Sequence, residues 1–359
     1  MKKSVSPAWY DQVPPKHSFR SVFKWGALDQ FKHPKTELVE LLKKTFSMSD
    51  DDFKEKSYVG DDIIAHVPKS KLDSKHIRVF EQIVGEENVS IDDYTRVKYG
   101  YGKTLHDSLR LRRKIIENLT DAVISPRNKN DVIKIVKYCN DQKIPIYPFG
   151  GGSSVTFGVE AVKGGITLNM AAHMNRVLAV NEMNLTCTVE PGIFGPALEN
   201  ELNNAKNNRS TKNNFTCGHF PQSFEYSTVG GWIAAKGAGQ ASTYYGTIED
   251  LVVCMEWVTP SGIIKTLDFP KAAIGPDIDQ MFIGSEGAFG ILVEATLKIF
   301  HYLPHQRKYF SFVFKDYASG LKATQLIMQS EFYKPSVFRL SDRRDRFWPP
   351  SLWCDGYAT

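Results

Sequence analysis

The chain is 359 residues long, 42% hydrophobic and 24% charged, with 45 Lys and Arg against 40 Asp and Glu for a formal net charge of +5. These values suit a globular protein with room for two domains and exclude disorder and fibrous repeats. The basic excess is mild and spread along the sequence, so it forms no nucleic-acid-binding arm; it fits an ordinary solvated surface, with an anionic ligand or an acidic membrane surface as the alternative reading.

The N-terminus has no basic start followed by an apolar core, and no run reaches the ~20 apolar residues of a membrane span. A cytoplasmic protein with at most peripheral membrane contact is therefore expected, and Asn-x-Ser/Thr triplets such as Asn184-Leu185-Thr186 are chance occurrences. Cys139, Cys187, Cys217, Cys254 and Cys354 form no CxxC pair, so neither a disulfide framework nor a metal site is expected. Residues 1–110 mix aromatic and charged side chains with weak periodicity, an N-terminal helical or irregular segment whose compact landmark is Phe23-Lys24-Trp25-Gly26.

Order sharpens at Ala122-Val123-Ile124-Ser125-Pro126, a short apolar strand stopped by proline. Asn128 then caps a helix in which Val132, Ile135, Val136 and Cys139 recur at helical spacing, and Ile144-Pro145-Ile146-Tyr147 reads as the second strand of a βαβ unit. Further on the period becomes two: Ile166, Leu168 and Met170 alternate with Thr167 and Asn169, and Thr186-Cys187-Thr188-Val189 is another strand. A longer strand at 251–258 ends in the turn Thr259-Pro260-Ser261-Gly262. Val293, Ala295, Leu297 and Ile299 share one face of a strand, and Glu294, Thr296 and Lys298 the other. Residues 117–301 thus form an α+β domain. From Lys308 a new unit begins, with a strand at 309–314, Asp316 as N-cap of a helix carrying Leu321, Ile327 and Met328, and a strand at 337–340. Residues 302–359 read as the start of a second domain, and the aperiodic stretch from Arg343 to Cys354 predicts a truncated or frame-altered C-terminus.

The chemistry gathers at Tyr147-Pro148-Phe149-Gly150-Gly151-Gly152-Ser153-Ser154. Three glycines in a row lose much entropy on folding, so the loop needs positive φ angles or something lying against its backbone. No Gly-Lys-Ser/Thr follows, which excludes an ATP-hydrolysing P-loop, and the β-branched and aromatic sequence after Gly152 cannot open the helix of a Rossmann fingerprint. Two readings remain: a nest of amides and serine hydroxyls for a diphosphate, or a glycine turn with no ligand. Further glycine-bearing pieces at 222–232, 235–239 and 284–291 point to backbone approaching a long ligand at several places, although each alone is more often a turn.

In this order, with Val189-Glu190-Pro191-Gly192, Tyr245-Gly246-Thr247-Ile248-Glu249-Asp250-Leu251 and Gly284-Ser285-Glu286-Gly287 between and after, the motifs resemble the FAD-binding domain of the vanillyl-alcohol-oxidase or p-cresol-methylhydroxylase type. Within that family the chain is most similar to the alkyldihydroxyacetonephosphate synthases, over roughly residues 95–340. The resemblance implies a two-subdomain FAD-binding domain followed by an α/β cap. Pro148, Phe149, Gly150, Gly151, Gly152, Ser153 and Ser154 would wrap the FAD diphosphate. Gln222, Ser223, Phe224, Glu225, Tyr226, Ser227 and Thr228 would line more of the cofactor, as would Ala235, Lys236, Gly237 and Ala238, and Glu286, Gly287, Ala288, Phe289, Gly290, Ile291 and Leu292. Gln222 stands where the family usually has aspartate, and residues 235–238 depart from its Thr-Arg-Ala-Ser. Relatives with covalent flavin carry a histidine in the diphosphate loop; its absence here implies noncovalent FAD.

The resemblance further implies exchange of the acyl group of acyl-dihydroxyacetone phosphate for a fatty alcohol, in ether-lipid synthesis and without net redox change, on a small or lipid-linked substrate and with a homodimer as one assembly. The family's phosphate-binding arginine, acid/base tyrosine and His-His-Gly motif have no counterpart before residue 359. Arg339 is the candidate for a substrate phosphate or carboxylate, a surface ion pair being the alternative. His219 either faces the flavin or satisfies a turn. Two other functional readings stay open: an FAD-linked dehydrogenase or oxidase of D-2-hydroxy acids such as lactate or glycolate, and a flavin-binding protein without turnover.

Overall fold

Asn128 fixes the start of the element that organises the first half of the molecule. In the computed structural model, which describes residues 8–34, 36–53, 58–269, 273–331 and 334–341, its backbone is extended and its side-chain carbonyl accepts from the Asp131 N–H at 3.1 Å, opening the helix Lys129–Gln142. The stripe of Val132, Ile135, Val136 and Cys139 is buried against a sheet. Each such side chain contributes about 1.5–3 kcal/mol relative to exposure.

That sheet has the order β1-β2-β4-β3, from β1 (Val89–Ser90), β2 (Ala122–Ile124), β3 (Ile146–Phe149) and β4 (Ile166–Asn169). The expected βαβ unit is present, with β3 starting two residues later than its apolar run, but β4 lies between its two strands. Ile166 pairs with Ala122 on one side and Ile146 on the other, all parallel. Burial on both faces of this central strand explains why Thr167 and Asn169 are as enclosed as Ile166 and Leu168.

The second sheet is antiparallel, in the order β5-β6-β10-β8-β9, from β5 (Val177–Asn181), β6 (Thr186–Val189), β8 (Val252–Thr259), β9 (Gly262–Lys265) and β10 (Ile291–Lys298). A separate pair joins β7 (Phe215–Thr216) to β11 (Phe300–His301). Ala295, Leu297 and Ile299 share one core as their alternation predicts, but Val293 packs into the other, because the register of β10 against β8 shifts between Leu292 and Glu294; Thr296 is buried as well, its hydroxyl meeting that of Thr188 at 2.9 Å. Val258, Ile291 and Val293 pack into the core under the helix Lys129–Gln142, and Lys129 reaches Glu256 on β8 at 2.8 Å. The two sheets therefore share a core, and the protein is a mixed helix and sheet structure.

The N-terminal residues supply a third apolar cluster around Phe19, Val22, Phe23, Val97, Tyr101 and Leu111. Beyond β11 the structure departs from expectation. Asp316 caps the helix Tyr317–Gln329 as anticipated, accepting from Ser319 N–H at 2.7 Å, but residues 309–314 and 337–340 are not strands. A strand needs a paired neighbour, and neither segment has one among the described residues; Phe310 and Phe312 stay exposed. The stretch from Arg343 to Cys354 lies outside the described residues. Among those that are described, no helix is long and apolar enough to cross a membrane, and no cluster of His, Cys, Asp and Glu is arranged to hold a metal.

Candidate functional site

Parallel strands β2, β4 and β3 deliver the glycine loop to their carboxyl ends, the edge at which open sheets of this kind bind ligands. Each glycine is bare for its own reason. A Cβ on Gly150 would strike the Thr228 hydroxyl, one on Gly151 the Tyr226 carbonyl, and Gly152 has φ +68 with its back to the Phe149 ring. From the far side Gly287 closes on Pro148, where a Cβ would sit 2.5 Å from Cγ. The side-chain face of the loop is thus filled by protein, not reserved for a ligand. Its amide face is different: the N–H groups of Gly151, Gly152, Ser153 and Ser154 find no acceptor among the described residues, and all four residues are half-buried. Consecutive unpaired donors of this kind form a nest for an anion.

Of these four residues, Gly151 and Gly152 border a cleft of 390 Å3 between the loop and the N-terminal segment, which Lys98, Tyr99, Lys103, Asn169 and Phe194 also line. No carboxylate lines it. Tyr99 packs edge-on to Phe149 at 5.0 Å. Burial pulls the Lys103 ammonium down to about 8. A larger hollow of 510 Å3, lined by Phe19, Asp62, His66 and Lys114, shares no residue with the glycine segments.

The other sequence-selected segments converge on the loop unevenly. Ser227 and Thr228 are buried, the first accepting from the Trp232 indole at 2.7 Å and the second capping the helix Val229–Ala234. Phe224 is buried, Ser223 half-buried, and Gln222 and Glu225 exposed. Glu286 (φ +48) donates its N–H to Ala234 at 3.1 Å and accepts from the Thr156 hydroxyl at 2.7 Å, so the third and fourth segments meet beside the loop. Of the third, Ala235, Lys236 and Ala238 are exposed, and Lys236 lies 4.0 Å from Glu249. Ala288 and Phe289 are exposed, whereas Ile291 and Leu292 turn their side chains into the cores, leaving only main chain for any ligand. Arg339 is exposed and makes no ion pair with a described residue.

His219 does not satisfy a turn. It is fully buried beside Trp232, at 4.9 Å between ring centroids, and neither ring nitrogen has a hydrogen-bond partner. Burial holds its pKa down at about 4, so the imidazole is neutral. A buried polar group left in this state calls for a partner. The sequence reading missed Lys98, Tyr99, Lys103, Asn169 and Phe194. Only Lys98-Tyr99-Gly100-Tyr101-Gly102-Lys103, where basic, aromatic and glycine residues interleave, carried a local signal.

Comparison with known proteins agrees with this geometry. The family model described as FAD binding domain matches residues 120–268. An alkyldihydroxyacetonephosphate synthase of Caenorhabditis elegans is 36% identical over 273 residues, 74% of this chain and 44% of that protein, and one of Trypanosoma brucei brucei is 32% identical over 320 residues, 87% and 50% respectively. A solved structure of an alkyldihydroxyacetonephosphate synthase superposes with TM-score 0.68 at 30% identity, covering 76% of this chain and 48% of that one. The chain spans about half the length of the curated relatives it matches. The open amides and the carboxylate-free cleft fit a cofactor with an anionic bridge. Over the matched span, the chain belongs to the FAD-binding flavoprotein family that includes the alkyldihydroxyacetonephosphate synthases.

Proposed function

We propose that this chain is the FAD-holding part of an enzyme that exchanges the acyl group of acyl-dihydroxyacetone phosphate for a fatty alcohol. The observation that carries the reading is the run of four unpaired amides, two of them from glycines that line a cleft without carboxylates, in a chain similar to proteins named as that synthase. In this reading the two sheets at 117–301 are the halves of one FAD-binding domain, and residues from 302 begin a substrate domain. The amides of Gly151 to Ser154 hold the diphosphate, while Tyr99, Phe149 and Phe194 exclude water from the cleft. Bound FAD supplies an electrophilic ring that carries the substrate through the exchange. Attachment is noncovalent: residues 148–154 hold neither His nor Cys, and Cys139, Cys187, Cys217 and Cys254 are buried with thiol pKa values pushed up by burial. The substrate is lipid-linked and is met at a membrane surface.

The test mixes flavin-loaded protein anaerobically with acyl-dihydroxyacetone phosphate and labelled fatty alcohol. Ether product without lasting bleaching of the flavin is expected. Bleaching by D-lactate or glycolate would assign a hydroxy-acid dehydrogenase instead, and a flavin-loaded protein inert to both would leave a binding role.

A further inference from the structure

The glycine loop offers only neutral donors, whereas a diphosphate is anionic; the countercharge has to come from elsewhere in the cleft. Lys103 is fixed in position for that task. Its main-chain N–H donates to the Ser154 carbonyl at 2.8 Å, locking it to the end of the loop. Gly102 makes this approach feasible, since a Cβ there would collide with the same carbonyl. On its other side Thr104 caps the helix Leu105–Arg112, accepting from Asp107 N–H at 2.8 Å. The Lys103 ammonium donates to the Val22 carbonyl and has no carboxylate within 4.0 Å among the described residues. Asp107, the nearest acid, is engaged by Arg110 at 2.8 Å.

We propose that Lys103 is the cation that completes the diphosphate site, neutralising the charge the loop amides hold. This rests on the FAD reading and adds to it a residue outside every glycine motif. A buried ammonium without an anion is costly, and a diphosphate oxygen beside it removes that cost. Lys98, which lines the same cleft, repels Lys103, while Tyr101 is committed to the Glu117 carbonyl at 2.5 Å.

The experiment titrates FAD into the flavin-free full chain and its Lys103→Met and Lys103→Arg variants by flavin fluorescence, with riboflavin as the probe lacking a diphosphate and inorganic pyrophosphate as competitor. Lys103→Met should weaken FAD roughly tenfold to a hundredfold, the worth of one charge-assisted hydrogen bond. It should leave riboflavin unchanged, and Lys103→Arg should stay within a few-fold of wild type. Wild-type affinity should fall as pH rises above about 8, because the bound form holds the Lys103 proton more tightly than the free form; the Met variant should show no such slope, and pyrophosphate should compete more weakly in it than in the wild type and Lys103→Arg. Equal FAD affinity for wild type and Lys103→Met overturns the inference alone. A wild-type chain that takes up no FAD overturns the cofactor reading as well.

Discussion

The glycine loop and the pocket of His219 both leave polar groups unpaired, under opposite conditions. The loop amides are half-buried and can be solvated until an anion arrives, so leaving them open costs little. His219 is sealed at 0% exposure with two unsatisfied nitrogens, a state that costs about 1–3 kcal/mol per lost partner. The comparison separates two kinds of unpaired polar group: donors that a ligand can reach, and a sealed group whose desolvation cost falls on the fold itself.

The strongest challenge to this contrast is at Arg110, which ties the loop's exit to the N-terminal wall through Asp107 and Glu160, each at 2.8 Å. Arg110→Met leaves two enclosed carboxylates without a cation and should cost about 3–5 kcal/mol, read as a lowered urea midpoint together with loss of flavin.

His219 predicts an acid limb. Its folded pKa of about 4 lies below the unfolded value of 6.5, so between those values the unfolded chain binds the proton first. Stability therefore falls as pH drops from 6.5 towards 4, by roughly 3 kcal/mol in all. His219→Phe should abolish that slope and, by removing two unpaired nitrogens, raise stability at pH 7 by about 1–3 kcal/mol; urea midpoints at pH 7 and pH 5 measure both.

Gly151→Ala places a methyl against the Tyr226 carbonyl, a backbone atom that cannot swing away. Overpacking of this kind should cost about 1–3 kcal/mol. FAD affinity should drop further than the same substitution at Gly150, where the obstacle is the Thr228 side chain. The smallest expected effect concerns thiols: Cys139 and Cys187, with pKa values pushed to about 12 by burial, should react with a thiol reagent only after unfolding.

Local signals were legible in the sequence. Asn128 and the stripe Val132, Ile135, Val136 and Cys139 act within a few residues, and the structure reproduces them; the alternation around Ala295 holds from Ala295 to Ile299 and breaks at Val293, where the strand register shifts. What could not be read there is non-local. The insertion of β4 between β2 and β3 depends on pairing 20 residues or more away in sequence, since Ile146 meets Ile166 and Ala122 meets Ile166. The apolar run at 309–314 spells a strand, yet spelling supplies no partner. The glycine triplet is legible as a loop needing positive φ or close backbone approach, and both causes occur, at Gly152 and at Gly150 and Gly151; what stays illegible is that Thr228 and Tyr226, far along the chain, occupy the side-chain face and leave only the amide face open. Lys103 sat in a segment without period, so nothing in the sequence linked it to a loop some 50 residues later until the Ser154 hydrogen bond joined them.

The central claim is that the amide face of residues 151–154 holds the FAD diphosphate. A crystal structure of the chain grown with FAD tests it most directly: diphosphate oxygens should lie within hydrogen-bond distance, roughly 2.7–3.2 Å, of those backbone nitrogens. FAD bound elsewhere in the molecule, with the cleft beside Lys103 holding only water, would contradict it.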